Sequence, residues 1–443
     1  MKKWLLRILK GMGLLLLAGL VGTVGFRLLY ARSWGRAAPV PTVDYAWEDV
    51  IRGGTTDHAL LAQHYAPVID QAVNVLLSEG GRGDFITAVD YDGDFTCLNN
   101  WENLLSGDLD AVVYYSVQET DTHYFVGYYF YHPRDDAEIW LDRHENDLEG
   151  VMLAIPKTDE GFSDPEYMYT QGHGNLYFCF GDSAVLCGGR MLNGSTYGGT
   201  ISMQDGRVHL YISPNGTLYN CGHSVDSADW HTPYWSVGDS GIRYLPGGEK
   251  QTPATWNGAF ADNPCSYELR PLEELWAWRN GPYDGTGAFG SYGAFDGDNW
   301  GEDKANPPWA WRNKIVYGFG GSFLSDPAWT INHAVAGAAL SADYTVNPYA
   351  EWRIGNIHAA IPATVAAEDV TLHLICDWWE FSNPAWFTLT QGENGFYDVT
   401  VGGQDALWIA APATSTWRFE VRSADGKLLT TCAVGFDAVL LQP

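Results

Sequence analysis

The sequence predicts a mainly β protein: an antiparallel β-sandwich with few short helices, followed by a C-terminal immunoglobulin-like β module. Three observations carry this. Beyond about residue 110 the apolar period falls towards two, in short segments such as "AVVYYSVQ", "THYFVGYYFYH", "EGVMLAI", "NLYFCF" and "RVHLYIS" separated by Gly, Asp and Asn. No helical stretch lies between neighbouring strands to carry them into a parallel sheet. Gly and Trp are abundant, at 50 and 20 residues, and Lys is scarce, which suits turn-rich β structure better than a helical bundle.

The elements follow in order. Residues 1–36 read as a signal anchor or transmembrane segment: a basic "KKWLLRILK", the apolar "GMGLLLLAGLVGTVGF", then "RLLYARSWGR". That apolar run is long for a signal-peptide core and, with Leu28, Leu29 and Tyr30 added, reaches the roughly 20 residues a span needs. A cleaved signal near "GRAAPV" is the alternative, which makes the protein secreted. Either way the body is placed outside the cytoplasm. "TTDHALLAQHYAPVIDQAVNVLLSE" has helical spacing around Leu60, Leu61 and Tyr65, interrupted by Pro67. The strands above then build a β-sandwich domain over 41–357. "LEELWAWRN" predicts a short helix over 272–280. The Gly-, Pro- and Asp-rich but aromatic stretch 281–313 predicts an ordered loop laid over the sandwich. "HAAIPATVAAEDV" (358–370) resembles a linker, and the strands beyond it form the second module, 366–443.

Charge excludes some functions. Formal net charge is −29, and the seven basic residues before position 37 leave 18 basic against 54 acidic residues beyond. Such a body repels nucleic acid and bare anionic membrane and favours divalent cations. The seven cysteines form no C-x-x-C pair, which argues against a zinc ribbon or thioredoxin-type motif. Cys179 and Cys187 are spaced to close a hairpin; a small buried hydrophobe is the plainer reading of most of the others.

One stretch stands out. "DRHENDLEGVMLAI" (142–155) sets Asp142, Arg143, His144, Glu145, Asp147 and Glu149 directly before an apolar strand. In a strand, Asp147 and Glu149 share a face with Val151, Leu153 and Ile155, and carboxylates there are costly unless paired, hydrated or bound to a cation. A His with two carboxylates and water suits a hard or borderline divalent ion such as magnesium, calcium or manganese. The alternative is a strand that begins at Gly150, with the charges in a solvated loop. Spacing alone leaves both open.

These residues resemble a family. "RHENDLEG" is similar to the G-H-R-H-D-W-E heptapeptide of the necrosis- and ethylene-inducing-like cytolysins. It is more similar still to the D-H-E-x-D-W-E stretch of the related vacuolar-protein-sorting-sixty-two-like proteins. "LLAQHYAPVI", "VDYDGDFTCLNNWENL", "YMYTQGHGNLYF" and "RVHLYISPNGTLYNCGH" occupy the places of that group's other motifs, over roughly residues 57–310. The resemblance implies a sandwich holding calcium or magnesium at one edge, through His144, Asp147 and Glu149, with Asp136 as a further acidic ligand. Departures are plain: Asn146 and Leu148 replace a His and a Trp, and "PNGT" replaces a His-bearing segment, so His223 is the candidate substitute.

Other residues have two readings. Asp90, Asp92 and Asp94 alternate as in a calcium loop, but the Gly and Glu of an EF-hand are missing and Asp92-Gly93 is also a hairpin turn. His173, between glycines, is a site base or a turn residue. "FDGDNWGEDKANPPWAW" offers Trp300, Trp309 and Asp298 to stack on and hydrogen-bond a sugar, against the alternative of loop-packing aromatics. The expected function is a membrane-anchored extracytoplasmic protein whose cation helps engage a glycan or lipid headgroup. The alternatives are a metal-assisted hydrolase or lyase of such a substrate, and a structural surface protein.

Overall fold

The computed structural model describes residues 46–441, apart from 96, 137–142, 173–174, 182–190, 193–194, 217–221, 232–239, 282–288, 293, 296–305, 312–320, 363–369, 378–379, 382–386, 392–395, 402–405, 424 and 433–434. The predicted anchor, His173, Asp298 and Trp300 therefore lie outside the described residues. Among those described, no helix is long and apolar enough to cross a membrane.

Helix α1 (His58–Tyr65) starts where Asp57 accepts a hydrogen bond from the Leu60 amide, 3.1 Å. Its last carbonyls are taken by the Arg207 guanidinium, which donates to the oxygens of Gln63, His64 and Ala66. Pro67 ends the helix, and the next residues form strand β1 (Val68–Ala72) rather than more helix. Every residue of β1 is buried, so the alternation that marks a half-exposed strand is invisible there.

Next come β2 (Val112–Thr120), β3 (His123–Asp135), β4 (His144–Pro156), β5 (Tyr167–Gly172), β6 (Asn175–Phe180) and β7 (Thr196–Thr200). They are followed by β8 (Met203–Gln204), β9 (Arg207–Ile212), β10 (Val225–Ser227), β11 (Gly241–Leu245), β12 (Pro264–Ser266) and β13 (Glu268–Pro271). Helix α2 (Glu273–Trp276) falls in the predicted 272–280 stretch, and α3 (Pro327–Ala334) and β14 (Tyr344–Val346) follow, with a few shorter helices and strands between the elements named.

Two sheets result. The first runs β13-β2-β3-β4-β5-β6-β7, with β14 beside β2; the second runs β8-β9-β1-β11-β12, with β10 beside β9. One apolar cluster joins them, drawing Val126, Tyr128, Val151 and Leu153 from the first and Ile69, Leu210, Ile242 and Tyr244 from the second. The expected all-antiparallel order is corrected in four places: β13 with β2, β6 with β7, β9 with β1 and β11 with β12 are parallel. Each of those partners is separated by a connection long enough for a crossover, which a two-residue turn cannot supply.

Beyond β14, strand β15 (Trp352–Pro362) takes in the first residues of the stretch that resembles a linker. It lies in a five-stranded sheet with strands at 387–391, 396–401, 406–409 and 435–440, and a four-stranded sheet holds those at 370–375, 380–381, 418–423 and 428–432. Cys97, Cys179, Cys265 and Cys376 are buried free thiols; Cys187, the expected hairpin partner of Cys179, lies outside the described residues.

The β1–β11 pairing is tight. A Cβ on Gly241 would lie 1.9 Å from the Gln71 carbonyl oxygen, and backbone cannot swing aside as a side chain can. Gly241→Ala is expected to cost about 1–3 kcal/mol or more, read as a lowered denaturation midpoint. An unchanged midpoint would show that this contact does not limit the second sheet.

Candidate metal centre

Strand β4 begins at His144, so His144, Glu145, Asp147 and Glu149 lie inside the sheet ladder and not in a solvated loop; Arg143 precedes it, and Asp142 lies outside the described residues. Its pairing with β3 is continuous from His123↔Pro156 to Asp135↔His144, with His132 directly opposite Asp147. The third contributor, His223, sits just before β10. The preceding Gly222 (φ +96°) packs so closely on Asp135 that a Cβ there would lie 1.8 Å from its Oδ2. Only glycine fits that approach.

His132, Asp147 and His223 each present one ligand atom, all within 4.8 Å of one another. The His223 Nδ1–H donates to Asp147 Oδ2 at 2.7 Å, and its Nε2–H to Asp84 Oδ1 at 3.0 Å. Asp84 also accepts from the backbone N–H groups of Asn74 and Asn215, at 2.7 and 2.6 Å. The rings of His132 and His223 stack with centroids 3.7 Å apart. His132 Nε2 meets Gln71 Oε1 at 3.0 Å, while its Nδ1, also buried, has no hydrogen-bond partner among the described residues.

Burial opposes charge on His223, but the hydrogen bonds and charges of Asp147 and Asp84 outweigh it and hold its pKa up at about 10. Burial also works against the Asp147 carboxylate, and its bond to His223 overrides this and keeps it below the usual range. Burial, then the neighbouring His223 charge, pushes His132 well down, so its ring is neutral. Asp84 is driven up by burial despite its donors. Of the two carboxylates, Asp147 is thus the firm partner of an imidazolium. Two imidazole nitrogens and one carboxylate oxygen, with a buried nitrogen left over, fit a divalent ion of borderline character. Such an ion would displace the His223 Nδ1 proton.

The expected ligands divide. Asp147 and His223 lie in the cluster, and His132 joins them. His144 instead lies 3.5 Å from the Asp135 carboxylate, which outweighs burial and raises its pKa to about 9. Asp136 is held by Arg143 at 2.9 Å and by the Ser78 backbone and hydroxyl. Glu149 is buried opposite Phe130, two residues along from Asp147, and is not among the three. Asp90 pairs with Arg270 at 2.8 Å and accepts the Gly93 amide through its carbonyl, while Asp92 accepts from Asn103. That is a turn rather than a calcium loop. Trp309 has no exposed surface; its Nε1–H donates to the Tyr292 carbonyl and Trp276 meets its ring edge-on, so it is core and no sugar platform.

No family model matches the chain, and no curated protein matches it. Its structural neighbours are proteins of the necrosis- and ethylene-inducing toxin fold. One, described as a toxin fold for microbial attack and plant defense, is 13% identical with a TM-score of 0.27, over 58% of this chain and 91% of that one. NLPPya in complex with glucosamine is 11% identical with a TM-score of 0.27, over the same shares. The non-toxic HaNLP3 protein is 13% identical with a TM-score of 0.26, over 56% of this chain and 87% of that one. At these TM-scores the overlap settles no role for this chain.

Two outcomes are expected. His223 has a folded pKa above its ordinary 6.5, so its contribution is full below that value and lost as pH rises towards about 10. In metal-free protein, the unfolding free energy should therefore fall between neutral pH and pH 10, and His223→Gln should flatten that slope. Leaving the two carboxylates without their cation should also cost about 3–5 kcal/mol near neutral pH. Equal slopes for both proteins would remove the imidazolium. Separately, Trp309→Ala should lose about 3–5 kcal/mol of stability, the effect of emptying a core aromatic. A stable Trp309→Ala that binds sugar more weakly would restore the platform.

Proposed function

We propose that the protein holds one divalent cation through His132, Asp147 and His223 and presents the adjoining charged edge to a glycan or lipid headgroup. The observation that supports this is the convergence of three ligand atoms from two strands and a loop within 4.8 Å. With two imidazoles among the donors, zinc or manganese suits the cluster better than calcium or magnesium, which take oxygen ligands. Arg143, paired with Asp136, and His144, paired with Asp135, lie next along the same edge and supply hydrogen-bonding groups for a polar headgroup. In this reading the apolar residues 11–26 anchor the chain, with its acidic body outside the cytoplasm.

A second reading is favoured by burial. His132 and His223 are fully buried and Asp147 is 7% exposed, whereas a catalytic metal keeps an open position. The same burial suits an ion that rigidifies the edge and orients its neighbours, and it weighs against a hydrolase or lyase.

Metal analysis of the purified full-length chain, then melting with added zinc, manganese, calcium or magnesium, tests the reading. A cation at a hundredfold excess over its dissociation constant should stabilise the fold by about 2.7 kcal/mol. Asp147→Asn should abolish most of that gain and His144→Gln little of it. EDTA should also weaken binding on a glycan and lipid-headgroup array. If no metal copurifies and no cation moves the melting point, the cluster is a proton-filled structural network. If a cation binds but no ligand does, the rigidifying role stands alone.

A further inference from the structure

Strand β1 has a second face. Gln71 points to His132 and the cation cluster, whereas Asp70 points out of the opposite side of the sheet. There a cavity of about 440 Å³ opens between the sheet, the β8–β9 turn and the segments around Ala228 and Phe260. Its floor is a row across three strands: Tyr211 on β9, Asp70 on β1 and Arg243 on β11 are paired in register. Arg243 donates from Nε and Nη2 to the two Asp70 oxygens, both at 2.7 Å. His209 Nε2 shares Asp70 Oδ2 at 2.9 Å.

This ion pair leaves two groups for a ligand. Arg243 is only 9% exposed, yet its Nη1 makes no hydrogen bond to any described residue. His209 Nδ1 is likewise without one. In the neutral ring Nε2–H donates to Asp70, so Nδ1 is an acceptor in the same cavity lining as the Nη1 donors. One wall is apolar: Tyr211 stacks on His231 at 3.8 Å, Phe260 meets Tyr211 edge-on, and Met203 stands at the side. Asp205 and Asp229 line the remaining side.

Charge decides what fits. Asp70 cancels Arg243, and Asp205 and Asp229 then leave the cavity acidic, which disfavours an anion. A cation on the floor would meet the guanidinium. A neutral ligand needs hydroxyls that both donate and accept and an apolar face for the aromatic wall, at a size the volume admits. We propose that this cavity is a second ligand site, independent of the cation cluster, that binds a neutral saccharide ring through hydroxyls on Arg243 and His209.

The test is titration calorimetry and saturation-transfer NMR on the full-length chain in detergent. The probes are the methyl glycosides of glucose, galactose and mannose, N-acetylglucosamine, and inorganic phosphate. At least one neutral sugar should bind. Met203→Trp, at a half-exposed position on the cavity side, should weaken it about tenfold or more, a change of about 1.4 kcal/mol. Arg243→Gln should do the same where it folds, and Met203→Trp decides where it does not. EDTA and Asp147→Asn should leave this binding unchanged, which separates it from the cation site. The proposal is overturned if no neutral sugar binds, if phosphate binds instead, if Met203→Trp has no effect, or if Asp147→Asn abolishes binding.

Discussion

One imidazole ring carries the edge of this sandwich. His223 is fully buried between Asp84 and Asp147, and each of its nitrogens is committed to a different segment of chain. Asp147 belongs to the long β3–β4 hairpin; Asp84 closes a turn whose carboxylate also takes the amides of Asn74 and Asn215. Asn215 in turn accepts the Asp136 amide and donates to Ser78. Four stretches distant in sequence thus meet at one positive charge. Such a buried pair is costly to form, because both ions leave water, and its stabilisation depends on satisfying every remaining donor and acceptor. The backbone amides of Asn74 and Asn215 supply that satisfaction on the Asp84 side.

Much of this was legible in the sequence, and each failure has its own cause. The strands between 112 and 212 announce themselves as short β-rich segments between turn residues, and Asp147, of one parity with Val151, Leu153 and Ile155, is buried with them. His223 could be singled out as a possible substitute for a missing histidine. His132 could not, although it stands in the plain strand pattern "YYFYH". Its meeting with Asp147 depends on the register of β3 against β4, which side-chain pattern alone leaves undetermined by any even shift. Strand β1 was hidden differently: it follows a helical pattern across Pro67 and carries Asp70 and Gln71 at its centre. Trp309 had two readings, a binding platform or a packed aromatic, and its complete burial decides for the second.

Strand β1 brings these points together. An all-buried strand is normally apolar, yet β1 reads Val-Ile-Asp-Gln-Ala, with two polar side chains at its centre. Each is satisfied on its own face: Gln71 by His132, the Ala72 carbonyl and the Ser213 carbonyl, and Asp70 by Arg243 and His209. Packing alone would favour valine or isoleucine at both positions, since a fully paired buried polar group gains only about 0.5–1.5 kcal/mol net per hydrogen bond. What the pairings add is position. Gln71 fixes the ring of His132 and turns Nδ1 away from itself, and Asp70 fixes a guanidinium and an imidazole with one nitrogen of each left over. The two arrangements are alike in kind: a buried polar group spends its own bonds on orienting a neighbour whose remaining atom is unused. A strand serving only the core would have no reason to do this twice, on opposite faces, at two adjacent residues.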